Sequence, residues 1–249
     1  MTVDRTELEW TYEPKGFFET PYRHAERDFE LKIDNGTAVA TLIIPTDPVP
    51  ADLEESVRTL VENSFLVREL QLHRKAKLEG PRIYQHSAGR KDVSIRLEGV
   101  SAVGMIGQLD FIVSDAEGDI KHDSKAERIA EHTSLLDLLA PKLQQSETLQ
   151  AIFVSYSKSV DDPDDEFTHL YEVRDALSNH YGNDENARRA LGISKSDWSR
   201  FGVLTNVEPL EQGRHRGNHP HGRRPATDEE LDEARNLARQ WIITFARTV

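Results

Sequence analysis

Between Gln212 and Arg224 the sequence runs Gln-Gly-Arg-His-Arg-Gly-Asn-His-Pro-His-Gly-Arg-Arg, with four arginines, three histidines and no acid. The chain as a whole carries −13, so everything outside this stretch carries −17, and the stretch is a cationic island on an anionic body. Arginine and histidine are the residue types that phosphodiester cleavage without a metal requires. A guanidinium binds two non-bridging oxygens at once and stabilises the charge that grows on phosphorus in the transition state. An imidazole that titrates near neutrality can take the proton of an RNA 2′-hydroxyl or deliver one to the leaving 5′-oxygen.

Three other uses of the same residues compete. The stretch could be a solvated connection whose arginines pair with carboxylates of the chain. His215, His219 and His221 could bind a divalent metal such as zinc, although Gly217 and Pro220 spoil an i, i+4 presentation and the neighbouring arginines repel a cation. Finally, the stretch could hold a phosphate or an acidic partner without turning it over.

Several chemistries are excluded outright. Cysteine is absent, which removes disulfide frameworks, thiolate nucleophiles, cysteine-ligated zinc and iron–sulfur clusters. Gly99, Gly104 and Gly107 fit neither a dinucleotide fingerprint nor a Walker A loop, and no nucleophile elbow or helical zincin motif occurs. No cofactor is expected. No apolar run approaches the roughly 18 residues of a membrane span, and the first residues lack the apolar core of a signal peptide, so a cytoplasmic protein without membrane contact is expected. The acidic body repels bulk nucleic acid, which confines any RNA contact to a local basic patch.

The elements that must position the 212–224 stretch change character along the chain. Leu8, Trp10 and Tyr12 alternate as on a strand face, as do Phe29, Leu31 and Ile33. Asp34-Asn35-Gly36-Thr37 then predicts a hairpin turn, with a return strand over 38–44. From Asp52 the spacing of Leu53, Val57, Leu60 and Val61 predicts a helix through about Leu78, ended by Gly80-Pro81. Strand pattern returns at 82–86, at Val93, Ile95 and Leu97, and at Leu109, Phe111 and Val113. Residues 1–120 therefore read as an α+β domain.

After Gly118-Asp119 five helical signals follow with no strand between them, and residues 121–249 read as all-α. They are Ile129 to Leu143, interrupted near Pro141; Leu149 to Tyr156 behind Ser146 as a cap; Phe167 to Tyr181, stopping at Gly182; Trp198 to Leu204 behind Ser194; and Leu231 to Phe245 behind the capping box Thr227-Asp228-Glu229-Glu230. Asp161 to Glu166 reads as a solvated acidic linker and helix start, lacking the spacing of a calcium loop. Trp10, Tyr12, Phe17, Phe18 and Tyr22 read as packing residues before a base-stacking platform, because few cations interleave with them. His73-Arg74-Lys75-Ala76-Lys77 reads as the cationic end of a helix that could also extend an RNA track.

The region from about residue 125 to 249 resembles a HEPN domain (higher eukaryotes and prokaryotes nucleotide-binding). The resemblance is carried by Arg214-His215-Arg216-Gly217-Asn218-His219, which has the family's Arg, polar residue, three variable residues and His. An overlapping match, Arg216 to His221, has glycine in the polar position. The stretch lies between expected helices near the start of the last one. The resemblance implies an all-helical bundle and a metal-independent endoribonuclease of toxin or antiphage-defence type. In it Arg214 stabilises the scissile phosphate, His219 is the general acid/base and His215 orients groups in the site; the remaining cations and histidine of the stretch, Arg216, His221, Arg223 and Arg224, are expected to bind the substrate RNA. It further implies a homodimer with the site at its interface, a regulatory or antitoxin partner, and products ending in 2′,3′-cyclic phosphate and 5′-hydroxyl. The alternative is a non-catalytic RNA- or nucleotide-binding or regulatory protein using the same basic stretch. The resemblance says nothing about residues 1–120.

Overall fold

The computed structural model describes residues 4–87, 90–95, 110–114, 119–214 and 222–249. Leu97 and Leu109, expected in strands, and Gly99, Gly104 and Gly107 lie outside the described residues. The chain has an antiparallel sheet region followed by a helical region. It divides into two compact units, residues 1–68 with 76–138, and residues 69–75 with 139–249. The change of periodicity near residue 120 falls inside the first of these. Among the described residues no helix is long and apolar enough to cross a membrane.

The first unit is built on a six-stranded antiparallel sheet. Its strands are β1 (Arg5–Glu13), β2 (Tyr22–Ala25), β3 (Phe29–Asp34), β4 (Thr37–Leu42), β5 (Lys77–Ser87) and β6 (Arg90–Ile95), in the order β2-β3-β4-β1-β5-β6. The expected turn joins β3 to β4. Asn35 and Gly36 both have positive φ, 44° and 88°, as a two-residue hairpin of the twist-matching type requires. Strand alternation sends Leu8, Trp10, Tyr12, Leu31, Ile33, Ala38, Ala40 and Leu42 to one buried face. There Tyr12, Phe17 and Phe18 meet Phe65 of helix α1 (Ala51–Leu72) with ring centroids 5.1 to 5.7 Å from it. The five aromatics weighed for base stacking, Trp10, Tyr12, Phe17, Phe18 and Tyr22, are all buried. Each buried aromatic of this size contributes on the order of 1.5–3 kcal/mol.

Helix α1 ends at Leu72, earlier than its periodicity predicts. His73 follows with a φ of 48°, and Lys77 begins β5, so the run 73–77 is a turn and a strand start beyond the helix. Gly80-Pro81, expected to stop the helix, lies inside β5 opposite the register shift between Glu9 and Thr11 of β1. Gly80 has a φ of 131°, and a Cβ there would stand 2.9 Å from the Glu9 carbonyl oxygen, so the close approach of the strands at this bulge requires glycine. A second correction concerns residues 120–123. Residues 121–123 are expected in the helical half, yet Ile120–Asp123 forms strand β8, paired with β7 (Ile112–Ser114).

Helix α2 (Ser124–Leu143) carries Pro141 in its last turn and stops two residues later. The second unit holds α3 (Glu147–Asp161), α4 (Glu166–His180), α5 (Asp184–Leu191), α6 (Lys195–Gly202), a π-helical turn at Val203–Val207, and α7 (Asp228–Ala246). Its core includes Phe153, Phe167, Phe201, Trp241 and Phe245, and α4 packs against α3, α5, α7 and the π turn. Ser146, Ser194 and Thr227 cap α3, α6 and α7 as their spacing predicts, the last with both halves of the capping box in place.

Two acids of this unit are buried. Glu166, expected in the solvated linker and helix start of 161–166, is the first residue of α4 but is 1% exposed and receives a fork from Arg235, Nε to Oε1 at 2.6 Å and Nη2 to Oε2 at 2.8 Å. Glu69, 5% exposed, accepts a 2.8 Å hydrogen bond from Ser157 and lies 3.6 Å from the Lys75 ammonium. Burial pushes the Glu69 carboxyl up to about 7, against the lowering influence of Lys75 and Ser157. The folded state therefore binds this proton more tightly than the unfolded chain. Its contribution favours folding at low pH and is lost as the pH rises between about 4.5 and about 7. Glu69→Gln is accordingly expected to melt above wild type at pH ~8, by up to about 3 kcal/mol, and to match it near pH ~4.5. Thermal melts at the two pH values check this, and a variant that melts below wild type at the higher pH overturns it.

Candidate functional site

The 212–224 stretch is anchored at both ends on the second unit. On the incoming side Gly213 N donates to Leu210 O at 3.1 Å, and Arg214 N donates to Thr205 O of the π turn at 3.4 Å. On the outgoing side Arg224 N donates to Pro209 O at 3.0 Å while its carbonyl accepts from Glu211 N at 2.9 Å. Gln212 Oε1 also accepts from Ala226 N at 3.0 Å. The residues flanking the stretch are thus tied to each other and to the start of α7.

Arg224 finishes that tie. Its guanidinium forks onto Glu230, Nη1 to Oε2 at 2.7 Å and Nη2 to Oε1 at 2.6 Å, and Glu230 is the capping-box acid that accepts from Thr227 N. The arginine holds the Glu230 carboxyl down at about 2. Expected to bind substrate, Arg224 has its fork filled by the helix cap. Arg223 is exposed. His215, Arg216, His219 and His221 lie outside the described residues.

Arg214, expected to face the scissile phosphate, is half-exposed and stands over Tyr171 of α4, its guanidinium carbon 5.2 Å from the ring centroid. Its Nη1 reaches Asp175 Oδ2 at 3.4 Å, a long contact for an ion pair. Burial raises the Asp175 carboxyl above its ordinary value, against the lowering fields of Arg214 and Arg174. The Arg214–Asp175 pair is a single long contact, which a phosphate accepting two parallel hydrogen bonds can replace.

A second guanidinium shares the Tyr171 ring. Arg174 lies 5.4 Å from that centroid and 5.0 Å from the Trp198 ring, and donates from Nη2 to Asp184 Oδ2 at 2.6 Å. Burial raises the Asp184 carboxyl, but the lowering influence of Trp198, Ser178 and Arg174 around it outweighs this and holds the group below its ordinary value. Trp198 stacks in turn on Trp241 of α7, centroids 4.9 Å apart at 22°. Tyr171, Arg174 and Asp175 went unnamed as site residues in the sequence reading. The signal was present in their i, i+3, i+4 spacing, which puts all three on one strip of α4.

Arg174 also fixes what Gly202 can be. A Cβ at Gly202 would stand 2.5 Å from Arg174 Nη1, and Asp184, Tyr171 and Trp198 leave that guanidinium little room to retreat. Gly202→Ala is expected to cost about 1–3 kcal/mol. In an Arg174→Ala background the same substitution is expected to cost under ~0.5 kcal/mol, because the clash is gone. Urea unfolding of the four proteins measures the coupling, and equal costs in both backgrounds would rule the clash out.

Among the described residues no three histidine or carboxylate side chains gather as a metal site. No family model, no curated protein and no solved structure matches this chain.

Proposed function

We propose that the chain is a HEPN-type endoribonuclease of the toxin or antiphage-defence kind, cutting RNA with Arg214 and His219 of the 212–224 stretch. The first unit senses, positions or restrains the helical one. The observation that supports this reading is the placement of Arg214. It is the motif arginine, half-exposed, seated on Tyr171 and only loosely held by Asp175.

In the reaction the 2′-oxygen attacks phosphorus as the His219 imidazole takes the 2′-hydroxyl proton. The P–O5′ bond breaks, and an imidazolium, His219 of the partner subunit in a homodimer, gives the departing 5′-oxygen its proton. Arg214 neutralises the charge on the non-bridging oxygens. One product ends in a 2′,3′-cyclic phosphate and the other in a 5′-hydroxyl.

A second reading is RNA or nucleotide binding without cleavage through the same cationic stretch; the Arg224–Glu230 fork is instead what a structural connection shows. Incubation of purified protein with total RNA and tRNA in excess chelator, with mapping of the product ends, separates the two. Cyclic-phosphate ends from wild type and none from His219→Ala support the nuclease. Saturable RNA binding with no cut ends supports the second reading.

A further inference from the structure

A chain of ring and guanidinium contacts runs through the second unit from its core to the motif arginine. Trp241 of α7 and Trp198 of α6 are both buried and stack at 4.9 Å. The Arg174 guanidinium carbon lies 5.0 Å from the Trp198 centroid and 5.4 Å from that of Tyr171, and Arg214 stands 5.2 Å from the same Tyr171 ring. Up to Tyr171 the fold sets every place. The tryptophans pack in the core, Arg174 is 16% exposed and held to Asp184 at 2.6 Å, and Tyr171 is half-buried beside it. Arg214, 49% exposed, is the end that meets solvent.

Arg214 is thereby held at two points. Its main-chain N–H donates to Thr205 O of the π turn at 3.4 Å, and its guanidinium stands over Tyr171. An arginine side chain that is free in solvent loses rotamer freedom when it closes on a phosphate, a loss equivalent to roughly ten- to thirtyfold in affinity. One already seated on a ring has given up that freedom beforehand, and the ring goes on attracting the cation whichever anion holds the guanidinium edge. Face and edge thus serve different partners. Asp175, four residues after Tyr171 on α4, meets the edge by one 3.4 Å contact. A carboxylate there competes with a phosphate for the same N–H groups, whereas the ring competes with neither.

We propose that Tyr171 is the positioning residue of the site, seating the Arg214 guanidinium where the scissile phosphate is bound, and that Asp175 occupies the guanidinium edge until RNA displaces it. This role of α4 rests on the nuclease reading and adds to it a control of when Arg214 is free.

Single-turnover cleavage of tRNA in excess chelator, beside affinity for a 2′-O-methyl oligonucleotide that cannot be cut through its 2′-oxygen, tests it. Tyr171→Leu is expected to slow cleavage roughly ten- to thirtyfold. Tyr171→Phe, which keeps the ring, is expected to stay within about threefold of wild type. In an Arg214→Ala background Tyr171→Leu is expected to change the rate by less than about twofold, since the cation that it seats is gone. Asp175→Asn is expected to act in the opposite direction and tighten oligonucleotide binding about two- to fivefold, as removal of a competing anion does. A strip that mattered only for folding would make every change on α4 harmful. Variants are first matched to wild type by circular dichroism, and Tyr171→Met replaces Tyr171→Leu if the latter does not fold. Cleavage by Tyr171→Leu at the wild-type rate, an equal loss with and without Arg214, or weaker oligonucleotide binding by Asp175→Asn overturns the proposal while the nuclease reading stands. Wild type that leaves tRNA uncut, or His219→Ala that cuts it as fast, removes the nuclease reading and the proposal with it.

Discussion

His219→Ala is expected to lower single-turnover cleavage of RNA by roughly 10²–10⁴-fold while leaving RNA affinity within about threefold of wild type, the signature of a lost proton-transfer group. The asymmetry follows from the chemistry. The imidazole acts on a proton that moves only as the P–O bonds form and break, so its absence is felt in the transition state and hardly in the bound complex. Arg214→Ala should behave differently, because a guanidinium on the non-bridging oxygens touches the ground state as well, and both binding and cleavage should fall. Rates with excess enzyme, set beside affinities for a 2′-O-methyl analogue, give the two quantities separately. If His219→Ala weakens binding as much as it slows cleavage, the residue holds RNA and the acid/base assignment is wrong.

Arg235→Ala is expected to be the most damaging single change to stability, at about 3–5 kcal/mol, the usual loss when one member of a buried ion pair is removed. Glu166 is nearly inaccessible, and its carboxyl stays below its ordinary value only because the hydrogen bonds of Arg235 and His73 outweigh burial. In wild type this contribution is present above about pH 4.5 and fades as the pH falls through the lowered folded value. Without Arg235, burial dominates and the carboxyl rises instead. The variant should therefore lose most at pH ~8 and recover part of the loss near pH ~5, where Glu166 takes a proton. Urea unfolding followed by tryptophan fluorescence, to which Trp198 and Trp241 contribute, reads both conditions. A loss below ~1 kcal/mol at the higher pH would mean that water or His73 compensates the charge.

Local chemistry was legible in the sequence wherever a few neighbouring side chains decide the conformation. Asn35-Gly36 announced its hairpin through positive φ, and Thr227 to Glu230 announced the start of α7 through reciprocal hydrogen bonds. What the periodicity misplaced was decided by distant contacts. Leu72 ends α1 although apolar spacing continues, because Lys77 onward is recruited by β1, and Gly80 is shaped by the Glu9 carbonyl on that strand. Helix α5 escaped notice because it buries only Ala187 and Leu191, too few for an apolar stripe, although Asn183 and the left-handed Gly192 mark its two ends. Glu166 looked like one more acid in a run of acids. Nothing local distinguishes the member that will meet Arg235, which is 69 residues away.

The candidate site was half legible in the same sense. Arg214 stood out by composition, but Tyr171 and Asp175, which seat it, read as ordinary members of an amphipathic helix. Arg224 illustrates the opposite failure. Counted among the cations of the stretch, it belongs by geometry to the cap of α7.

The fastening of residues 209–211 to Arg224 has an evolutionary consequence. Main-chain bonds, the Gln212 side chain and the Arg224–Glu230 pair at the α7 cap close the base. Doubling the length of a closed segment costs only about 0.6 kcal/mol in chain entropy. With its two ends already joined, the scaffold pays little entropy for a change in the number of residues between them, so this is a position at which length can vary between descendants of one fold.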